Sequence, residues 1–486
     1  MSSNSKLKTS AFAASHSAAP ARRLQNLKLQ KLAGLLLTWF STNARDLPWR
    51  RTRDPYAIWV SEIMLQQTQV KTVIPYWKRW LATLSTIEAA AHASPDRIHK
   101  LWEGLGYYTR ARNLQRASKQ IVSQQHAVAK SRRRRGNESQ TKRKPTTPHV
   151  VSYNFPQNFD DVLALPGIGR YTAGAICSIA FNQPTPILDG NVIRVLARVF
   201  GIAENPKEKE MNARLWKLAA EFVAGAAKQQ TFRSSRREEA HSKIGNSQSI
   251  LTSAATITGN CSALNQSLME LGALVCTPRN PQCRICPVKK LCVALLENRV
   301  NELPNPGKRQ VVTARRFIAF VIERNGKFLV RQRPVGVVNA HLWEFPNVEI
   351  GARLSEPQHT RSRNTAGKIP ATSGIRARCG SGDPRSELVA NAARQTLGFT
   401  PKTLQPLCTI KHSITRYRIT LEAFQVRLGR TSYTSPHSKP AKSGTRITPS
   451  SKIGVWKTPA QMRQLAFTAA HKKLASAAFN SILSAR

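Results

Sequence analysis

Leu165-Pro166-Gly167-Ile168-Gly169-Arg170, followed by Tyr171-Thr-Ala-Gly-Ala-Ile-Cys-Ser-Ile-Ala180, is the stretch that most restricts the fold. Its second half is small and apolar and predicts a helix, while the two glycines predict a tight hairpin directly before that helix. A hairpin of this kind exposes backbone N–H groups at the positive end of the helix dipole, where an anion is favoured. The stretch therefore predicts a helix-hairpin-helix that clamps phosphate without reading bases, with Gly167, Gly169 and Arg170 as contact residues.

The charge of the chain agrees with a polyanionic partner. The 486 residues include 75 Lys and Arg against 26 Asp and Glu, which gives a formal net charge of +49. This length predicts two or three domains, and an apolar content of 41% is enough for real cores. No apolar run reaches the ~18 residues of a membrane span, so we expect nucleic acid rather than a membrane as the partner.

The residues from Leu24 to Val300 have a helical apolar pattern. Asp54-Pro55 is a typical helix start, with Asp as N-cap and Pro at the first helical position, and the predicted helix continues from Tyr56 to Val70. Glu62 falls on the apolar face of this helix. Burial would raise the pKa of its carboxyl, as a general acid requires. The alternative is a helix glutamate that is satisfied by an ordinary hydrogen bond.

A second carboxyl, Asp189, stands in Ile187-Leu-Asp-Gly-Asn-Val192 at the start of another predicted helix. The helix dipole favours the ionised form there, although a plain N-cap is the commoner role of such an aspartate. One carboxyl held neutral and another held charged are the acid and the stabiliser of glycosidic-bond cleavage. The sequence suggests this pair but does not show that the two meet.

Four cysteines are spaced closely enough to converge on one point without a long loop. A four-thiolate site suits either an iron–sulfur cluster or zinc, and a zinc site would more often have two Cys-x-x-Cys pairs. Disulfides are a poor alternative, because nothing resembles a secretory signal and cytosolic thiols stay reduced. The predicted ligands are Cys276, Cys283, Cys286 and Cys292.

The pattern changes after residue 300. Two apolar runs surround Asn325-Gly326 between Arg316 and Arg333, which is a strong β-hairpin signal. Residues 387–399 predict a short helix, and Tyr417–Val426 predict a further strand. The chain is therefore multidomain, an all-α part followed by an α+β domain.

Several long motifs resemble adenine DNA glycosylases of the MutY type, within the helix-hairpin-helix and endonuclease III superfamily. Together with the cysteine loop they cover about residues 24–300 apart from two insertions. They are Leu47-Pro-Trp-Arg50, Ser61-Glu-Ile-Met-Leu-Gln-Gln-Thr-Gln-Val70, Leu101-Trp-Glu-Gly-Leu-Gly-Tyr-Tyr-Thr-Arg-Ala-Arg-Asn-Leu114, the Leu165–Gly174 hairpin and Leu188-Asp-Gly-Asn-Val192. The resemblance implies base excision repair: hydrolysis of the N-glycosidic bond of adenine mispaired with 8-oxoguanine or guanine in double-stranded DNA.

The resemblance also implies roles for individual residues. Glu62 would protonate the flipped adenine, Asp189 would stabilise the sugar cation, and Tyr171 and Asn191 would orient these groups. Gln67 and Tyr107 match the residues that wedge into the duplex, where a side chain offsets part of the few kcal/mol that unstacking a base costs. By itself, Tyr107 would be assigned to helix packing.

For the cysteine loop, residues 276–292, the resemblance implies a structural [4Fe–4S] cluster. Such a cluster shapes a basic loop that touches DNA. The candidate basic residues are Arg279, Arg284, Lys289 and Lys290.

Residues 315–486 resemble the NUDIX-like domain that this family carries. The metal-binding box of a NUDIX hydrolase has glutamates where this chain has Ala392, Gln395 and Thr396. We therefore expect no pyrophosphohydrolase activity but a recognition domain for 8-oxoguanine. The recognition loop corresponds to His412-Ser-Ile-Thr-Arg-Tyr417, in which Thr415 keeps a hydroxyl and Arg416 replaces the usual histidine.

The residue at position 171 distinguishes two related families in function. Endonuclease III-type glycosylase-lyases for oxidised pyrimidines have a lysine there as Schiff-base nucleophile, and tyrosine cannot form an imine. The prediction is a monofunctional enzyme, with the glycosylase-lyase as the alternative. A non-catalytic, cluster-bearing DNA-binding protein is the third hypothesis, from another class.

Composition divides the chain into segments. We expect a basic flexible arm at 1–23, a helical domain at 24–300 and a linker at 301–314 before the NUDIX-like domain. A transit peptide is the alternative for residues 1–23, which are rich in Ser and Ala and contain no acid. Basic, polar insertions are expected at 123–154 and 228–262. We further expect a monomer that works in the cytoplasm with the nucleoid if it is bacterial, or in the nucleus or mitochondrion if it is eukaryotic.

Overall fold

The structure is a computed structural model that describes most of the chain in two compact units. The first unit comprises residues Met1–Ala93 and Arg112–Arg309, and the second comprises Ser94–Ala111 and Gln310–Arg486. The described residues are 6–135, 155–241, 261–305, 307, 311–350, 384–414, 416–427 and 453–483. In these ranges no helix is both long and apolar enough to cross a membrane.

The residues before 300 form helices, as predicted. In chain order they are α1 Lys6–Asn43, α2 Pro55–Leu65, α3 Val70–Thr83, α4 Ile87–His92, α5 Pro95–Trp102, α6 Thr109–Arg135, α7 Phe159–Leu163, α8 Arg170–Phe181, α9 Gly190–Phe200, α10 Lys209–His241, α11 Cys261–Leu274 and α12 Val293–Leu296. Short 3-10 turns stand at Pro48–Arg50, Cys283–Ile285 and Lys289–Leu291.

The start of α2 shows how local sequence defines a helix end. Asp54 is the N-cap, and its carboxylate accepts hydrogen bonds from the backbone N–H groups of Tyr56 and Ala57, while Pro55 occupies the first helical position. The helix ends at Leu65 rather than at Val70, because the chain leaves the helical conformation at Gln66 and turns left-handed at Gln67.

The core of the first unit lies between α1, α8, α9, α10 and α11. Its centre consists of aliphatic side chains that are withdrawn from water, and burying each stabilises the fold by roughly 1.5–3 kcal/mol. Residues of this core that are fully buried include Leu32, Leu36, Val195, Leu196, Leu215, Leu264 and Leu271. The apolar periodicity of these five helices therefore corresponds to buried core positions.

The second unit contains a mixed sheet. Its strands are β1 Thr313–Arg324, β2 Lys327–Gln332, β3 Trp343–Glu344, β4 Asn347–Ile350, β5 Thr403–Ile414, β6 Tyr417–Arg427 and β7 Val455–Lys457. The strand order is β3-β2-β1-β6-β5, with β4 also paired to β1 and β7 to β2, and β1 runs parallel to β6. Asn325 and Gly326, both at positive φ, make the predicted hairpin turn between β1 and β2.

Helices cover both faces of this sheet. They are α13 Pro384–Leu397, α14 Pro459–Gln464 and α15 Ala469–Leu483. Alternate residues of β1 point to opposite faces, so that Ile318 and Phe320 pack with α13, whereas Ala319 and Val321 pack with α15. The predicted α+β domain is confirmed as a layered α/β domain.

Helix extends into segments that were expected to be unstructured. Helix α1 begins at Lys6 inside the predicted arm, α6 continues to Arg135, and α10 continues to His241. Alanine, lysine, arginine and glutamine, which dominate these stretches, have high helix propensity, so a neighbouring helix can propagate into them. The remainders of the two insertions, residues 136–154 and 242–260, lie outside the described residues.

Candidate active site and cluster loop

Glu62 is a buried carboxyl inside the first unit. It lies on α2 with 4% of its surface exposed, and its Oε2 accepts a hydrogen bond of 3.0 Å from the hydroxyl of Tyr171 on α8. Burial raises the pKa of Glu62 to about 7, against the lowering effect of the tyrosine hydrogen bond; the charge of Asp189 adds to the rise. Glu62 can therefore hold a proton near neutral pH and release it.

Asp189 is the N-cap of α9 and is held by several donors. Its carboxylate accepts from the Val192 N–H at 2.7 Å and from the Asn191 side-chain amide at 2.9 Å. Burial raises the pKa of Asp189, and the hydrogen bonds from Val192 and Asn191 oppose that rise. Burial therefore works against the ionised form that the helix dipole favours, although the donors still favour the charged carboxylate.

Tyr171 connects the two carboxyls electrostatically. Burial is the main reason why the pKa of its phenol lies well above the ordinary value, and the charges of Glu62 and Asp189 raise it further. Tyr171 therefore stays protonated and acts as a donor. Its hydroxyl also lies 3.4 Å from the sulfur of Met269 on α11.

Arg194 was missed by the sequence analysis, although it shapes this site. Its guanidinium is 8% exposed and donates to the Asn191 Oδ1 at 2.8 Å, the Gly272 carbonyl at 2.7 Å and the Cys276 carbonyl at 2.7 Å. It thereby fixes the Asn191 amide that contacts Asp189. The available signal was an arginine three residues after Asn191, on the face of α9 that carries Arg198 and apolar residues.

The hairpin before α8 has the predicted geometry. Gly167 has φ of +79°, and a Cβ at this position would lie 2.5 Å from the Asn113 side chain. Gly167, Gly169 and Arg170 are exposed, while Ile168 packs inwards. Gly169 is the N-cap of α8 and has no side chain with which to cap it, so the first turn presents its N–H groups outwards. The Arg170 guanidinium lies over the Trp216 ring, 4.1 Å from its centre.

Gln67 and Tyr107 share an unusual backbone conformation, each within its own unit. Gln67 has φ of +57° and Tyr107 has φ of +48°, a left-handed region that costs roughly 1–2 kcal/mol for a residue with a Cβ. Gln67 is exposed, and Tyr107 exposes 40% of its surface despite its aromatic ring. Strain of this kind concentrates where a side chain is aimed at a ligand.

The four cysteines of the 276–292 loop line one cavity. Further walls come from the core side chains Val195, Val199, Leu271 and Val288. All four thiols are free, and Cys276 accepts a 3.3 Å hydrogen bond from the buried guanidinium of Arg198. Four convergent thiols beside a cation suit an anionic iron–sulfur centre. Within the described residues no three His, Cys, Asp or Glu side chains are grouped to hold a single metal ion.

The outer surface of the cysteine loop is basic. The Lys289 ammonium donates to the Arg284 backbone carbonyl at 2.9 Å. This hydrogen bond holds Lys289 close to the turn that carries Arg284. The side chains of Arg279, Arg284, Lys289 and Lys290 are all exposed. Such a set can meet phosphates without sequence preference.

The loop that corresponds to the recognition loop, residues 412–417, is described except for one residue. Thr415 lies outside the described residues, and the neighbouring Arg416 donates to the Tyr417 hydroxyl at 3.1 Å. On α13, the positions where a hydrolase box would have glutamates carry the buried Ala392, the exposed Gln395 and the partly buried Thr396.

Comparison with known proteins gives matches over both units. Residues 60–221 match the family model of the HhH-GPD superfamily of base excision DNA repair proteins, and residues 318–477 match that of the NUDIX domain. The adenine DNA glycosylase of Buchnera aphidicola from Schizaphis graminum is 33% identical over 323 residues, which are 66% of this chain and 76% of the relative.

Two further similarities are more partial. The Arabidopsis thaliana adenine DNA glycosylase is 35% identical over 359 residues, 66% of this chain but 48% of the relative. A solved structure of a thermostable thymine-DNA glycosylase is 25% identical and covers 56% of this chain and 98% of its own, with a TM-score of 0.41.

Proposed function

Because the chain belongs to the adenine DNA glycosylases, within the HhH-GPD superfamily of base excision DNA repair proteins, we propose that it excises adenine mispaired with 8-oxoguanine or guanine. The observation that carries the chemistry is the buried Glu62, which accepts a hydrogen bond from the Tyr171 hydroxyl. The charge of Asp189 helps to raise its pKa. A proton donor beside a held carboxylate suits the breaking of a glycosidic bond.

The first chemical step is proton transfer from Glu62 to the flipped adenine at N7. The C1′–N9 bond then breaks, and its electron pair moves into the base, which leaves as neutral adenine. Since the pKa of Glu62 is raised to about 7, a substantial fraction of the carboxyl carries the required proton at neutral pH.

The sugar becomes an oxocarbenium-like cation, which Asp189 faces with its carboxylate. The Val192 N–H and the Asn191 amide orient that carboxylate, so it does not have to reorganise while charge develops. A water then adds to C1′, and its proton passes to the carboxylate of Glu62. The products are free adenine and an abasic site.

The absence of an amine at position 171 supports hydrolysis without strand cleavage. A β-lyase needs a nucleophilic amine that forms an imine with C1′, whereas Tyr171 offers a phenol held protonated by burial. We therefore propose a monofunctional glycosylase.

The cysteine-lined cavity would hold a [4Fe–4S] cluster through Cys276, Cys283, Cys286 and Cys292. When bound, the cluster would supply cross-links between the four thiolates and so stabilise the loop that carries the basic residues. It has no proposed step in the excision. The exposed hairpin glycines and the basic loop would hold the DNA backbone, while Gln67 and Tyr107 would enter the duplex.

The NUDIX-like unit is proposed to recognise 8-oxoguanine, with Thr415 as the contact residue. Loss of the hydrolase glutamates at Ala392, Gln395 and Thr396 supports a role in recognition rather than in hydrolysis. We also propose that the protein acts as a monomer wherever the cellular DNA lies, in line with its charge of +49.

The decisive experiment measures strand nicking with and without hot alkali. Purified protein is incubated with duplexes that contain one A:8-oxoguanine, A:G or thymine glycol:A pair. Nicking of the adenine strand only after alkali would support the proposal. Alkali-independent cutting at thymine glycol would instead indicate the glycosylase-lyase. Binding without any cleavage would indicate the non-catalytic alternative.

The cluster is tested by iron analysis of a cysteine variant. Cys292→Ser should lower the iron bound per protein and weaken DNA binding, because one ligand of the loop is lost. Cys408→Ser, which changes a thiol of the second unit, should keep both at the wild-type level. Undiminished iron in Cys292→Ser would contradict the assigned ligands.

A further inference from the structure

The segment that carries Tyr107 packs with the second unit. Residues Ser94–Ala111 fall inside the stretch that matches the HhH-GPD model, but in the structure they cluster with residues Gln310–Arg486. The segment consists of α5, a loop at 103–108 and the first residues of α6. The segment is therefore held by residues of the C-terminal part of the second unit, Gln310–Arg486, which is called the C-terminal unit below.

Glu103 is the main polar anchor of this segment. It is 8% exposed; its Oε1 accepts from the Phe467 N–H at 3.1 Å, and its Oε2 accepts from Lys472 at 2.8 Å and Lys100 at 2.9 Å. Lys100 also donates to the Leu465 carbonyl at 3.1 Å. Burial raises the pKa of Glu103, but the hydrogen bonds from Lys472 and Lys100 outweigh it and the pKa ends below its ordinary value.

Lys472 is itself more than half exposed, so its charge is partly screened by solvent and salt. The carboxylate that it meets is nevertheless buried. Removal of either lysine would leave the buried Glu103 carboxylate with fewer partners. The cost of this would exceed the small stabilisation that a fully exposed ion pair gives.

Aromatic contacts anchor the same segment at a second point. The ring of His99 on α5 stacks on His341, with centroids 6.2 Å apart and an interplanar angle of 16°. Tyr108 meets His99 edge-on at 6.2 Å, and its hydroxyl accepts from the Gly104 N–H at 3.3 Å. The loop thus contacts residues 310–486 directly through Glu103, and through His99 on the side of Tyr108.

Side-chain hydrogen bonds hold the backbone between Glu103 and Tyr107 in place. The Trp102 indole N–H donates to the Gly106 carbonyl at 3.0 Å, and Arg110 donates to the same carbonyl at 3.1 Å. The Arg110 guanidinium also lies over the Tyr107 ring, 5.6 Å from its centre. A displacement of Glu103 would therefore move the tyrosine.

From these contacts we infer that Glu103 is a positioning residue for adenine excision. Its bonds to Lys472, Lys100 and the Phe467 N–H hold the 103–108 loop against the C-terminal unit and so fix where Tyr107 projects. The inference rests on the proposed role of Tyr107 in the duplex. It assigns to the C-terminal unit a second task besides lesion recognition, which is to hold the wedge.

The structural part is tested by amide hydrogen exchange of the full-length protein. Glu103→Gln should speed exchange of the amides at 104–108 about tenfold, the effect of losing one charged hydrogen bond, and leave α9 unchanged. Glu422→Gln is the matched control, since Glu422 is a similarly buried carboxylate paired with Arg316 and Arg385. Equal protection of the loop in both variants would overturn the inference.

If Glu103→Gln does not fold, Lys472→Met provides the same test. This variant keeps Glu103 with Lys100 and the Phe467 N–H, and removes only the exposed partner. It should speed exchange in the same loop by a smaller factor. Unchanged exchange would again count against the anchor.

The functional part is tested by a double-mutant cycle on adenine release in single turnovers. Glu103→Gln and Tyr107→Ala should each slow release about tenfold. The double variant should be no slower than Tyr107→Ala alone, because Glu103 acts through Tyr107. Multiplying effects would show an independent role and refute the inference.

The outcomes separate this inference from the proposed function. If the wild type releases no adenine, the proposed function fails, and hydrogen exchange still decides whether Glu103 holds the loop. If Tyr107→Ala releases adenine at the wild-type rate, the wedge role of Tyr107 and the functional part of the inference fail together. If Tyr107→Ala slows adenine release but Glu103→Gln does not, only the inference is overturned.

Discussion

The hydroxyl of Tyr171 lies 3.0 Å from the carboxylate of Glu62, although 109 residues separate them in sequence. This contact joins α8, which begins at the Gly167–Gly169 hairpin, to α2, which carries the proposed acid. The hydrogen bond lowers the pKa of a carboxyl that burial has already raised. The balance between these two effects sets the pH range in which the proton is available.

Adenine release should therefore depend on pH through Glu62. With its pKa at about 7, the single-turnover rate should be steady below that pH and fall about tenfold per unit above it, because the acid loses its proton. Glu62→Gln should slow release roughly 10²–10⁴-fold and abolish this alkaline limb. A Glu62→Gln variant with the wild-type profile would remove Glu62 from the mechanism.

Glu62 should also cost stability at neutral and alkaline pH. Its pKa in the fold is about 7 against 4.5 ordinarily, so the folded state binds the extra proton and stability from this group declines as pH rises between these values. Glu62→Gln should raise the free energy of unfolding at pH ~8 by about 1–3 kcal/mol, and by little at pH ~4. Urea titrations at the two pH values measure the difference.

Removal of the Tyr171 hydroxyl should shift the pH profile of adenine release toward higher pH. Tyr171→Phe deletes the hydrogen bond that lowers the pKa of Glu62, so the alkaline limb should move to higher pH. The plateau rate should fall about tenfold, since the carboxyl is no longer oriented. Tyr76→Phe, on α3, serves as control. A limb that moves to lower pH would contradict the assigned contact.

The hairpin glycines should differ in their tolerance of alanine. Gly167→Ala meets both a φ of +79° and the Asn113 side chain at 2.5 Å, and should cost about 1–2 kcal/mol. Gly169 has φ of −96° and nothing within 4 Å of a built Cβ, so Gly169→Ala should fold normally. The Kd for undamaged duplex, measured at fixed salt, should rise several-fold more in Gly167→Ala than in Gly169→Ala.

An acid-sensitive ion cluster should stabilise the first unit. The buried Glu270 on α11 accepts from Arg45 at 2.7 Å and Arg50 at 2.9 Å. Burial raises its pKa, but the arginine hydrogen bonds outweigh this and bring the pKa to about 2. Its stabilisation is present above the ordinary pKa of 4.5 and is lost as pH falls toward 2.

Glu270→Gln should therefore lower the free energy of unfolding at pH ~7 by about 3 kcal/mol, and the difference from wild type should shrink at pH ~3. Asp46→Asn is the matched control, because the Asp46–Arg51 pair is solvent-exposed and should matter little. A pH-independent difference between Glu270→Gln and wild type would argue against the ionised carboxylate as the source of stability.

Features that depend on neighbouring residues were predictable from the sequence. The Asp54 cap, the Asn325-Gly326 hairpin and the Gly167 turn each reflect backbone preferences within a few residues, and all three occur as expected. Asp189 was correctly placed at the start of a helix. The extent of helix in α1, α6 and α10 was underestimated, because charge and polarity were given more weight than helix propensity.

The sequence by itself determined the chemistry that the chain can offer. It specified a carboxyl on an apolar helix face at Glu62, another at a helix start at Asp189, a tyrosine where a lyase needs an amine, and four thiols within one loop. These depend on residue type and short spacing, which the order of amino acids states directly.

Only the tertiary structure decided how strongly these groups act and which elements hold them. The pKa of Glu62 depends on how much water its neighbours exclude, and the position of Tyr107 depends on Glu103 meeting Lys472, 369 residues away. The anchoring of Arg194 on the Gly272 carbonyl likewise required α9 and α11 to meet. Desolvation and long-range contacts sum over many distant residues once the chain has closed, so local spacing does not encode them.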